Sequence, residues 1–267
     1  MTGPTPLLDF FRRGEVPKDV RLLAAQGAIA PRAHEQLAIL VLLLDDIDPE
    51  IRVAADRTLN RIPVAALKVF LARSDVSIGL REFFGDRGVF PDEIPAIELP
   101  DEPDMPFVDT ETEMSEASFP TEEVAGDEGR RTALQLVGEM GFTDRLKAAV
   151  KGSREMRAIL IRDTNKMISA AVLSSPKLTE QEVEGFARMA NVSEDVIRTI
   201  GNTRAWLKNY SIVVALTKNP KTPLAMSMNF MARLADRDLA MLSVDRNVPE
   251  TLRVAARKKV VAATSKK

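Results

Sequence analysis

Apolar residues recur at three- and four-residue intervals along most of the chain, and strand-type alternation never persists beyond a few positions. Before residue 91 this spacing predicts helices over about 18–26, 33–44, 49–59, 64–72 and 76–84. After residue 128 it predicts helices over about 130–137, 144–150, 153–161, 165–173, 179–189, 193–200, 205–217, 223–235, 238–244 and 249–262. Asp48-Pro49-Glu50 opens one of these with a capping carboxylate, a proline at the first helical position and a second carboxylate near the positive end of the helix dipole. Pro249-Glu250-Thr251-Leu252 opens the last in the same way. Short connections imply antiparallel neighbours, and the predicted class is all-α.

Two segments of the later half echo each other. Ala171-Val172-Leu173-Ser174-Ser175-Pro176-Lys177 returns 44 positions on as Ala215-Leu216-Thr217-Lys218-Asn219-Pro220-Lys221, and Asn191-Val192-Ser193-Glu194 returns 56 positions on as Asn247-Val248-Pro249-Glu250. Self-similarity at a few tens of residues, with helical patterning inside each copy, predicts a stacked helical array that buries its core between neighbours.

The helical text is interrupted once. From Pro91 the prolines crowd together and the charge turns uniformly acidic. Residues 1–90 hold 12 basic and 12 acidic side chains, residues 91–128 hold 0 and 14, and residues 129–267 hold 25 and 13, so the near-neutral total of −2 conceals nets of 0, −14 and +12. Proline removes donors and like charge resists compaction, which predicts a disordered linker of 38 residues. As a flexible coil it would span roughly 34 Å. Its scattered apolar residues, Ile94, Ile97, Leu99, Met105, Phe107 and Phe119, suit a docking peptide; a solubilising spacer is the plainer alternative. Three parts follow: residues 1–90, the linker 91–128 and a basic helical module 129–267.

The segment Asp48-Pro49-Glu50-Ile51-Arg52-Val53-Ala54-Ala55, with its counterpart at 249–256, resembles the second helix of HEAT-type repeats. Asn219-Pro220-Lys221-Thr222-Pro223 resembles the turn of the bacterial leucine-rich-variant repeat, in which an α-helix and a 3₁₀ turn stack in each unit. The first likeness covers parts of 18–85 and the second roughly 150–262. Together they imply an α-solenoid in two modules, and HEAT-type relatives imply a scaffold or adaptor that binds protein partners. Some leucine-rich-variant relatives carry an iron–sulfur cluster on cysteines, and with no cysteine in this chain that feature does not transfer.

Composition narrows the chemistry. Aromatic residues make up 5% of the chain, so the core has to be aliphatic. The longest apolar run, 37–44, is too short to span a bilayer, which needs about 20 residues, and the N-terminus lacks a basic region followed by an apolar one; the chain reads as soluble and cytoplasmic. His34 is the single histidine, without a nucleophile elbow to serve, and no phosphate-binding glycine loop occurs. The carboxylates of Asp45-Asp46-Ile47-Asp48-Pro49-Glu50 lack the glycine and terminal glutamate of a calcium loop and suit a helix cap. The expectation is a non-enzyme without catalytic residues, metal or cofactor.

The strongest binding candidates are basic. Arg145, Lys147, Lys151, Arg154 and Arg157 form one cluster; Arg204 and Lys208 flank Trp206; Arg253, Arg257, Lys258, Lys259, Lys266 and Lys267 end the chain. Such residues could hold a phosphate backbone while Trp206 or Tyr210 stacks on a base, as in a helical-repeat nucleic-acid binder or glycosylase, although Trp206 with Tyr210 and Val213 also fits a core stripe. The acidic linker would then act as a tethered mimic, present at an effective concentration reaching the millimolar range.

Overall fold

A computed structural model of the chain describes residues 6–30, 32–92, 105–108 and 127–264. Among these residues every regular element is helical. The chain divides into two units, residues 1–156 with 174–177 and residues 157–173 with 178–267. Among the described residues no helix is long and apolar enough to cross a membrane.

The first unit opens with a helix absent from the pattern analysis, α1 (Pro6–Arg13), followed by α2 (Lys18–Ala25), α3 (Ala33–Leu43), α4 (Pro49–Arg61), α5 (Val64–Leu71), α6 (Ile78–Gly85), α7 (Asp127–Glu139) and α8 (Phe142–Lys151). Helix α1 has its own signature: proline at its first position, arginines in its last turn, and Leu7, Leu8 and Phe11 on one buried face. The Leu7 amide, which has no partner inside the helix, donates to the Ser174 hydroxyl at 3.3 Å.

Helix α3 carries the unbroken apolar run because α1, α2 and α4 all pack against it. Leu37, Ile39 and Leu40 are fully buried there, each worth roughly 1.5–3 kcal/mol of burial. The acidic sequence before α4 does the capping expected of it: the Asp48 carboxylate accepts from the Glu50 amide at 3.0 Å, and Asp46 accepts from the Asp48 amide at 2.9 Å. The cations these carboxylates meet are the protein's own, Lys18 at 2.5 Å from Asp48 and Arg21 at 3.0 Å from Asp46. Lys18 holds the Asp48 carboxyl below its usual range and is itself raised by that contact.

The second unit contains most of α9 (Arg154–Leu160) and α10 (Lys166–Ser174), then α11 (Glu180–Arg188), α12 (Glu194–Asn202), a 3₁₀ turn at Trp206–Lys208, α13 (Tyr210–Lys218), α14 (Leu224–Met231), α15 (Asp236–Val244) and α16 (Glu250–Thr264). Contacts run between near neighbours: α11 with α12 and α13, α13 with α14, α15 with α16, and α14 with α16. The helix expected over 205–217 is broken. Asn209 stops the 3₁₀ turn and caps α13, its side-chain oxygen accepting from the Ser211 amide at 3.0 Å. At Gly201, an added Cβ would run into the Met226 methyl and approach Phe230, so the small residue sets how closely α12 and α14 meet.

One ionic contact of this unit is wholly buried. Thr179 and Glu182 form a capping box at the start of α11, each side chain engaging the other's backbone amide. Arg157 then grips the same carboxylate with a fork, Nε to Oε1 at 2.9 Å and a terminal nitrogen to Oε2 at 3.0 Å, with both side chains about 5% exposed or less. Removing one partner of a buried pair strands the other charge. Arg157→Ala is therefore expected to cost roughly 3–5 kcal/mol, read as a lower urea midpoint for the loss of helical circular dichroism.

Candidate functional site

The candidate basic residues fall in both units. Arg145, Lys147, Lys151 and Arg154 belong to the first unit, and Arg157 and all later ones to the second. Arg157 is buried on Glu182, and Trp206, 5% exposed, is part of the core. Tyr210 keeps an exposed ring, but its hydroxyl donates to Asp238 at 2.6 Å and accepts from the Ala235 amide at 3.0 Å, tying the start of α13 to that of α15. The Asp238 contact raises the phenol above its ordinary value. Arg253 pairs with Glu250 one turn away. Arg154, Arg204, Lys208, Arg257, Lys258 and Lys259 are exposed on their helices or turns, and Lys266 and Lys267 lie outside the described residues. Of the residues nominated for phosphate contact and stacking, Arg157 and Trp206 are thus buried, while the Tyr210 ring is exposed.

A different site emerges in the first unit. Residues 105–108, inside the acidic run, lie against α3 and the end of α2. Gln36, only 1% exposed, donates from Nε2 to the Val108 carbonyl at 2.5 Å and accepts at Oε1 from the Val108 amide at 3.1 Å. A carboxamide offers one donor and one acceptor side by side, so this single side chain does for Val108 what a neighbouring strand would do. Val108 is 8% exposed, whereas Met105 remains largely in solvent.

The groove is shaped by two further residues. Helix α2 ends at Gly27 with φ of 86°, where the Gly27 and Ala28 amides turn back to the Ala24 and Leu23 carbonyls. This left-handed closure favours glycine, and a Cβ on Gly27 would sit 3.1 Å from the Val108 carbonyl oxygen. On the other side the buried Phe70 ring meets Phe107 edge-on, with centroids 5.5 Å apart and planes at 79°. His34 approaches the same ring at 6.1 Å, and the Arg73 guanidinium lies 5.1 Å from its centroid. His34 is thus a flank of this groove. Ile94, Ile97, Leu99 and Phe119, nominated with Met105 and Phe107 as docking residues, lie outside the described residues.

Glu35 stands beside Gln36 in the chain but is buried on the side of α1. Desolvation pushes its carboxyl up to about 8, while the Arg32 charge and the Leu8 amide pull the other way. Neither carboxylate oxygen makes a well-formed hydrogen bond to a described residue. No known protein family, curated protein or solved structure matches the chain.

The raised acid fixes the sign of a pH effect. Between about 4.5 and about 8 the folded chain holds a proton at Glu35 that the unfolded chain has released, so this group's contribution is full below 4.5 and is lost as pH rises through 8. Melting temperature is expected to fall across that window, and Glu35→Gln, which cannot ionise, should flatten the slope and melt higher than the parent at pH 8.5.

Proposed function

We propose that this chain is a non-enzymatic α-helical scaffold, built as a solenoid of stacked helix pairs, that binds protein partners by holding extended segments in grooves between helix ends. The observation that carries this reading is the paired contact of Gln36 with the amide and carbonyl of Val108. Backbone-directed recognition of an extended segment, with an aromatic contact beside it, is how peptide-binding surfaces combine affinity with selectivity.

The echoing segments support the repeated architecture. Ser175 and Asn219 occupy equivalent positions of the two copies. Ser175 donates to the Val150 carbonyl at the end of α8, at 2.7 Å, and Asn219 donates to the Ala187 and Met189 carbonyls at the end of α11, at 2.7 and 2.9 Å. Each copy places a polar side chain ahead of its proline to tie down a helix some 25 to 32 residues earlier.

The groove is opened for testing by Phe107→Ser with Val108→Gly, which removes the side chains seated in it. Selection from a peptide-display library on this opened chain is expected to enrich extended peptides, and Gln36→Leu, which keeps the volume but not the hydrogen bonds, should abolish the enrichment. Enrichment indifferent to Gln36, or none at all, would overturn the reading.

A further inference from the structure

Resting on that reading, we infer that the groove's external ligand is an extended segment of Pro-Phe-Val type, and that residues 105–108 hold the groove shut as a tethered competitor. The occupant in place specifies the chemistry. Gln36 uses both backbone groups of the residue at the Val108 position, so that residue must own a free N–H and cannot be proline. Its side chain must be apolar, since Val108 is 8% exposed. The preceding residue must be aromatic to meet Phe70 edge-on. Pro106, one position earlier, limits the segment to extended conformations and so lowers the entropy lost on docking.

Charge does not choose the ligand here. The Arg73 guanidinium, 5.1 Å from the Phe70 centroid, is already held by the Asp75 carboxylate at 2.7 Å, so the backbone and aromatic contacts define what the groove accepts.

Tethering decides how strongly the groove is shut. A covalently linked segment can reach an effective concentration of about 1 mM, so one with an intrinsic Kd of about 100 µM would weaken a competitor's apparent affinity about tenfold. The interface is small enough for that regime: one paired backbone contact and one aromatic contact.

The test is fluorescence anisotropy with a labelled peptide of residues 101–112. The opened chain (Phe107→Ser, Val108→Gly) is expected to bind it about tenfold more tightly than the parent chain. Gln36→Leu in the opened chain should abolish binding, as should Val108→Pro in the peptide, which leaves the protein untouched and serves even where Gln36→Leu fails to fold. Equal affinity for opened and parent chains would overturn the latch. Binding that survives Val108→Pro would place the peptide elsewhere, and a parent dimer that becomes monomeric on opening would assign the segment to exchange between copies; either result overturns the proposal. Should the opened chain ignore this peptide while still selecting others in the display experiment, the ligand class proposed here fails and the peptide-binding reading stands.

Discussion

The structure depends on settling the ends of short helices. A helix of eight or nine residues leaves four amides and four carbonyls without internal partners at its two ends, so a chain of many such helices carries more orphan groups than internal helix bonds. Here the solution is to place polar side chains from one element on the ends of another. Ser174 takes the Leu7 amide, Ser175 the Val150 carbonyl, Asn219 two carbonyls at the end of α11, and Glu182 the Thr179 amide while itself gripped by Arg157. Each contact links residues 25 or more apart except the capping box, whose long-range member is the arginine. Apolar burial supplies the drive to pack, and these contacts select which helix end meets which.

That division explains what could be read from the chain. Helical class and most element positions follow from local spacing, and caps such as Asp48, Thr179 and Ser193 are visible as a polar residue before a periodic run. The break at Asn209 was hidden because Trp206, Tyr210 and Val213 keep helical spacing across it; only the capping habit of asparagine marks the interruption. Helix α1 is legible in Pro6 at its first position with Leu7, Leu8 and Phe11 on one face, a pattern too short to stand out by periodicity. The echo of Ser175 and Asn219 was visible as similarity, but its physical meaning lies in partners 25 to 32 residues away.

The groove was less legible, for the same reason. Phe107 and Met105 stood out as apolar residues in an acidic run, which is a local signal, whereas Gln36 is one polar residue in a hydrophobic helix and its partner lies 72 positions away. Residues 129–267 stand out by their net charge of +12, but a basic residue's sign is local and its burial is not. Arg154 and Arg157 share a spacing that suggests one exposed face, yet Arg154 is exposed and Arg157 is 4% exposed on Glu182.

Gln36 and Glu35 show how adjacent buried polar residues can serve opposite ends. A buried amide with both its groups engaged is inexpensive to keep, and it confers selectivity because its geometry accepts a backbone and rejects a proline. A buried carboxyl without a good partner is costly when ionised, which is why desolvation moves it toward neutrality. Desolvation of Glu35 thus lowers the charge that α3 carries on its buried side, and the apolar contacts to α1, α2 and α4 are less opposed by a trapped charge. Helix α3 is the wall on which Val108 rests, held there by both polar groups of the Gln36 carboxamide.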